Sequence, residues 1–289
     1  MKYSYVTNYK NNDVLRNSFN ELTEKIFSFN FVDWFNNGFW GEKYIPCSLV
    51  DGEKIIANAS VNLMDFNIDG VKKHFIQIGT VMTDVEYRGQ GLSRYILEKI
   101  IEEYKEKVDG IYLFANDSVT NFYPKFGFTK STEYQYSKIL NESNNERQLE
   151  HVNLGDKAIK QNFLDGVKSS VSNERFSMDN FGLTTFWAIG PMSNSVYYYT
   201  KEDTFIIADI KGENLYIHQI ISSHKVDLER IISSFYNTIK MVTLGFTPYD
   251  TYGYIVKELL KSDCTFFYLG KDLEDIEKKK LMFPTLSHA

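Results

Sequence analysis

The sequence predicts an α/β protein with mixed sheets, arranged in two halves. Three observations carry this. Short β-branched and aromatic runs alternate with stretches whose apolar residues recur at helical spacing. Two of the strand runs meet at the turn NIDG, a hairpin signal. At 289 residues the chain is long for one core, because single cores stop growing at roughly 250 to 300 residues.

Tyr3 to Thr7 reads as a short strand. Asp13 to Phe29 follows as a helix, with Val14, Leu15, Leu22, Ile26 and Phe29 on one stripe. The aromatic tract FNFVDWFNNGFWGEKY holds two glycines that interrupt a long helix, so it reads as a short helix and loop. Strands are expected at Ser48 to Val50, Lys54 to Phe66 and His74 to Thr83. A helix opening at Arg88 or Gly89 runs to about Lys107, with Leu92, Tyr95, Ile96, Ile100 and Tyr104 on one face, and Asp109-Gly110 ends it. The buried strand IYLFAN leads to a short helix over Ser118 to Phe126 and a strand over Glu133 to Leu140.

The polar, aperiodic stretch from Asn141 to Asn153 reads as a linker between residues 1–140 and 154–289. Beyond it come a helix at Asp156 to Ser172 and strands at Val196 to Thr200, Thr204 to Ile210 and Leu215 to Ile221. A helix at Val226 to Thr238, a strand at Met241 to Phe246, a helix at Thr251 to Leu260 and a strand at Thr265 to Leu269 complete the chain. The element order of the second half resembles that of the first.

Composition narrows the function. The formal net charge of −6, with lysines scattered among acids, argues against a nucleic-acid partner and favours a cationic one. Cys47 and Cys264 lie in different halves and build neither a disulfide framework nor a CxxC metal site. The first residues lack an apolar signal core, and no run approaches the ~18 apolar residues of a membrane span. A cytoplasmic protein without membrane contact is expected.

The stretch VMTDVEYRGQGLSRY carries the strongest chemical signal. Gly89 and Gly91 sit between Arg88 and Arg94 at a helix start, where free backbone N–H groups and the positive dipole end favour an anion. Glycine suits a backbone that approaches its ligand or takes positive φ, and the guanidinium groups suit a doubly charged partner. The pattern is neither a P-loop nor a dinucleotide fingerprint, and a pyrophosphate fits it. The plain alternative is a helix start with exposed arginines and flexible glycines.

In this context the first half resembles the GNAT superfamily of acyl-CoA-dependent N-acyltransferases. RGQGLS is similar to the family's Q/R-x-x-G-x-G/A motif, with Ser93 at the last small position. Serine still admits a close backbone and adds a hydroxyl donor. Asn116 stands seven residues before Tyr123, the family's spacing for an Asn near pantetheine and a Tyr near the sulfur, and YPKFGF resembles its Y-x-K-x-G-F ending. The resemblance spans about Tyr3 to Leu140 and implies a GNAT fold followed by a degenerate GNAT-like half, an Eis-like tandem.

It further implies acetyl-CoA as the acyl donor. The strands holding Ile76 to Thr83 and Ile111 to Asn116 would splay, freeing backbone groups of Val81 and Thr83 for pantetheine amides. Amides over Arg88, Gly89, Gln90, Gly91, Leu92, Ser93 and Arg94 would hold the pyrophosphate, and an N–H near Met82 would polarise the thioester. Tyr123 becomes the general acid for the departing thiolate. Its plain alternative is core packing with Phe122, Phe126 and Phe128.

The base is not evident. Gln77 stands where many family members carry glutamate, and an amide takes no proton. Asp84 and Glu86 are expected to face solvent beside Arg88, and His74 lies up the strand. Free ends usually fray, whereas FPTLSHA is expected to be docked against the rest of the chain. Tandem members of the family, including N-myristoyltransferases and Eis-type enzymes, use a C-terminal carboxylate as base, which implies that role for Ala289. Simple packing is the alternative.

In the second half ISSHKVDLER offers no glycine to a phosphate, His224 and Lys225 read as an exposed loop, and His218 reads as a satisfied strand histidine. No metal site is expected. This half would shape an acceptor pocket or an interface in a homo-oligomer. Trp34, Phe35 and Trp40, with Phe39 and Tyr44, occupy the segment that lines the acceptor site in GNAT folds, where rings hold a cation or an apolar group. The acceptor is expected to be a primary amine, a cationic small molecule such as a polyamine or aminoglycoside ahead of a protein lysine. The alternative in another class is a non-catalytic acyl-CoA sensor.

Overall fold

The computed structural model describes residues 2–140, 149–235 and 238–289. The chain opens with β1 (Ser4–Thr7), α1 (Asp13–Phe27), α2 (Val32–Asn36) and the antiparallel run β2 (Tyr44–Asp51), β3 (Lys54–Ile68) and β4 (Val71–Thr83). Asn12 caps α1 by accepting from Leu15 N–H, and Ser28 ends it in the left-handed region at φ 61°. Next come α3 (Leu92–Tyr104), β5 (Gly110–Ala115) and β6 (Thr129–Lys130). The helix expected over Ser118 to Phe126 is instead two 3-10 turns, Asp117–Val119 and Tyr123–Phe126, with Pro124 setting the second and Gly127 closing it at φ 87°.

The remaining elements are β7 (Tyr134–Ile139), β8 (Leu149–His151), α4 (Lys157–Ser169), β9 (Phe176–Asp179), α5 (Phe181–Ile189), β10 (Val196–Tyr199), β11 (Thr204–Lys211), β12 (Asn214–Ile221), α6 (Leu228–Ser233), β13 (Met241–Leu244), β14 (Ile255–Glu258), β15 (Thr265–Leu269) and α7 (Asp275–Lys278). Among the described residues, the strands form two mixed sheets. One has the order β1-β2-β3-β4-β5-β15-β6 with β9 on β3, and the other β14-β7-β13-β12-β11-β10-β8.

The two sheets exchange strands across the expected boundary. β7 pairs antiparallel with β13 and β14 in the second sheet, whereas β15 inserts beside β5 in the first. The reason is burial on both faces of β5. Ile111, Leu113 and Ala115 face α3, while Tyr112 joins a separate ring layer with Phe283. β15 repeats this two-sided pattern, sending Phe267 to the first layer and Phe266 to the second, and it covers the edge of β5 away from β4 from Ile111 to Ala115. Tyr136 of β7 is buried in the second sheet's core instead.

Thr251 to Leu260 is not a helix. Gly253 turns at φ 78°, and Ile255 to Glu258 extend along β7 as an edge strand. In the expected linker, residues 141–148 lie outside the described residues and Leu149–His151 is β8, paired with β10. The helix expected to reach Thr238 is α6, ending at Ser233; residues 236 and 237 are outside the description. No helix among the described residues is long and apolar enough to cross a membrane.

Candidate active site

The site begins with a strained residue. In the β3–β4 ladder Asn58 pairs with Met82 but Ser60 pairs with Gly79, so β4 bulges at Thr80, whose φ is 49°. A β-branched residue in that region is strained by about 1 to 3 kcal/mol and persists only where its surroundings impose it. A buried polar network does so. Asn58 Nδ2 donates to the Thr80 carbonyl and to Ser60 Oγ, both at 2.9 Å. Ser60 Oγ donates to Tyr44 OH, which lies 2.9 Å from Thr80 Oγ1.

The bulge bends β4 away from β5. Their parallel pairing covers only Phe75–Gly110, Ile76–Ile111 and Gln77–Tyr112 and stops there. Beyond it a cleft of about 640 Å3 opens, lined by β4 from Ile78 to Thr83 and by Phe114 and Asn116. Its far end is the start of α3. Gly89 and Gly91 stand at φ 77° and 74°, and neither has another atom within 4 Å of where a Cβ would be. The helices α1, α4, α5 and α6 are each capped by an Asn or Asp side chain, but no side chain caps Gly91. The N–H groups of the first turn thus face the cleft uncovered.

Val81, Met82, Thr83, Arg88, Gly89, Gly91, Leu92, Ser93, Arg94, Asn116, Tyr123 and Ala289 all line this cleft. Gln90 does not; its Oε1 accepts from Tyr3 OH. Ser93 Oγ lies 2.8 Å from Thr83 Oγ1. Tyr123 both packs and lines: its ring meets Phe122, Phe128 and Phe267, and burial pushes its phenol up to about 12. Residues 11–131 match a family profile described as an acetyltransferase (GNAT) domain. The chain carries a GNAT domain.

The surrounding similarities agree with this. Over 57 residues the chain is 37% identical to GCN5-related N-acetyltransferase 2, chloroplastic, of Arabidopsis thaliana, a match covering 19% of this chain and 22% of that protein. The chain therefore spans about a fifth of that relative. A protein of unknown function from Enterococcus faecalis V583, described as a probable N-acyltransferase, superposes with TM-score 0.61 at 14% identity, covering 96% of this chain and 74% of that one. Eis1 of Mycobacterium abscessus gives 0.53 at 9% identity, covering 91% and 73%. At such identities the likeness is one of fold, and it extends over both sheets.

The end of the chain runs into the GNAT domain. Phe283 N–H donates to Glu133 Oε1 at 2.8 Å, and its ring stacks on Tyr112 at 4.4 Å. Trp187 Nε1 donates to the His288 carbonyl at 2.8 Å, and the His288 ring lies flat on Phe114, where burial lowers its pKa to about 3. Ala289 is held by Gln77: its N–H donates to Oε1 at 3.2 Å, and Nε2 donates to its oxygen at 3.3 Å. Gln77 thus acts as a clamp in the position where glutamate was the family expectation.

A second cavity, of about 660 Å3, lies on the other side of Ala289 and shares Thr80 and Ala289 with the cleft. Trp34 lines it, while Trp40 is buried behind, stacked on Trp34 at 5.7 Å. Phe35 lies under the Arg16 guanidinium, outside the lining. The opposite wall is α5, from Phe181 to Trp187. FGLTTFWAI is apolar all round and shows no period, so the sequence marks no helix there.

Two groups differ from expectation. Asp84 does not face solvent: it is 1% exposed, bonded by Lys25 and Lys54, each at 2.9 Å, and by Glu86 N–H. Burial alone would raise its carboxyl, but these partners hold it down at about 2. His218 is only half satisfied. Its Nε2 meets Asp209 at 3.0 Å, while the buried Nδ1 has no partner among the described residues. His224 and Lys225 lie in an exposed loop, as expected, with Lys225 donating to the Ser172 carbonyl and to Tyr249 OH.

Proposed function

We propose that the protein is an acyl-CoA-dependent N-acyltransferase that passes an acetyl group from acetyl-CoA to a primary amine. The observation that supports this most is the meeting of two cavities at Thr80 and Ala289, one ending at an uncapped helix start and the other walled by rings. Coenzyme A fits the first. The first-turn amides from Leu92 to Arg94 and the bare backbone of Gly89 and Gly91 suit its diphosphate, with Arg88 and Arg94 as counter-charges. The unpaired stretch of β4 and Asn116 suit the pantetheine amides. Acetyl-CoA supplies an acyl carbon activated as a thioester.

The chain's own groups then have distinct tasks. A backbone N–H beside the bulge, at Val81 or Met82, stabilises the oxyanion that forms when the amine attacks. Tyr123 gives its proton to the departing sulfur, and its raised pKa keeps that proton in place at neutral pH. The carboxylate of Ala289 takes the proton shed by the amine, oriented by Gln77. One C–N bond forms, one C–S bond breaks, and a proton is delivered at each end.

Coenzyme A release in the presence of a panel of amines tests the reading. Tyr123→Phe should lower kcat roughly a hundredfold, the scale of general acid catalysis, with the acetyl-CoA Kd within about twofold of the parent. Acetyl-CoA binding without turnover on any amine would leave a binding module rather than an enzyme. Removing Ser287 to Ala289 tests the base separately: unchanged turnover in a folded protein excludes it.

A further inference from the structure

We infer that the acceptor amine carries an aromatic body, gripped by ring faces in the second cavity with its nitrogen directed at Ala289. This deepens the transferase reading and rests on it. The lining decides the chemistry. Among the described residues it presents five phenylalanines, two tryptophans and Tyr44, against Leu183 and Pro191 as the larger aliphatic groups. A flexible alkyl chain is matched by aliphatic side chains, whereas a flat ring or a single cationic nitrogen is matched by ring faces.

The polar atoms of these rings are already used. Trp34 Nε1 donates to the Gly182 carbonyl at 2.9 Å, Trp187 Nε1 to the His288 carbonyl, and Tyr44 OH belongs to the network that holds the bulge. At the rim, Glu42 pairs with Lys10, and Lys43 is bonded to Asp65 and to the Asp179 carbonyl. A polyamine or a polyhydroxylated aminoglycoside entering here would lose water from many groups with few partners in return. An aryl ring loses only apolar hydration. The shared wall at Ala289 and Thr80 places the nitrogen of such a ligand beside the cleft, and the volume of about 660 Å3 admits one or two fused rings with a short side chain.

The test uses the full chain. Acetyl transfer to 2-phenylethylamine and tryptamine is compared with transfer to spermidine and kanamycin, and calorimetry measures binding of the same four amines in the presence of coenzyme A. The expected result is a kcat/KM at least tenfold higher for the aryl amines, and saturable binding of them alone. Phe186→Leu, and separately Phe39→Leu as a milder change at the rim, should raise KM for 2-phenylethylamine about tenfold with kcat and acetyl-CoA affinity little changed. Spermidine or kanamycin turned over as well as the aryl amines overturns the inference while keeping the transferase. Saturable aryl-amine binding without any turnover keeps the aromatic site and discards the transferase. A strong preference for octanoyl-CoA over acetyl-CoA that Phe186→Leu abolishes would give the cavity to the acyl chain, and also overturns the inference.

Discussion

Replacing Gly79 with alanine is a minimal change that reaches Ala289 without removing a polar group. A Cβ there would stand 2.7 Å from the Ala289 oxygen, 3.0 Å from its carbonyl carbon and 3.3 Å from Asn62 Nδ2. Ordinary carbon contacts begin near 3.4 Å, so Ala289 must retreat by about 0.7 Å, or the strand must shift against its neighbours. Overpacking of this kind costs about 1 to 3 kcal/mol. The retreat also stretches the two Gln77 bonds, each contributing about 0.5 to 1.5 kcal/mol. For a chain of this size that corresponds to a fall in Tm of roughly 2 to 10 °C. Because misplacing a catalytic group by about 1 Å costs on the order of a hundredfold, kcat should drop 10- to 100-fold. Differential scanning fluorimetry and steady-state coenzyme A release measure both. A folded Gly79→Ala protein with undiminished kcat would refute the role given to Ala289.

Two other expectations concern the buried polar groups. Asn58→Ala removes two donations that hold the bulge and one of the two partners of Ser48 Oγ, so stability should fall by about 2 to 4 kcal/mol, read from urea unfolding. Glu133 and Glu174 are buried, and burial raises their carboxyl groups to about 7 and about 8. A carboxyl raised in the folded state contributes stability that is full below its unfolded pKa and lost as pH rises through the folded value. Tm should therefore decline between pH 5 and pH 9, and Glu174→Gln should flatten the decline; a slope unchanged by Glu174→Gln would show that this group does not set it.

The parts of the fold legible in the sequence were those decided locally. Gly89 and Gly91 take positive φ, the NIDG hairpin forms, and the α3 stripe faces its core, because each follows from side-chain periodicity or backbone freedom over a few residues. The splay of β4 from β5 was available only through family resemblance. Its cause, Thr80 held at φ 49° by Asn58 and Tyr44, depends on residues up to 36 positions apart. Nothing near Thr265 announces that β15 will lie on β5, some 150 residues earlier, since both strands read simply as apolar on two faces. Asp84 looked like a surface acid because its partners, Lys25 and Lys54, sit on other elements. The near wall of the aromatic cavity was visible in Trp34; the far wall, α5, carried no period to read.

The most direct measurement is calorimetric titration of coenzyme A, and in parallel of pantetheine, into the full chain. Saturable binding at one site is expected, with pantetheine at least tenfold weaker because it lacks the diphosphate that the Leu92 to Arg94 amides would hold. No heat with coenzyme A, or equal affinity for the two, would contradict the assignment of the cleft.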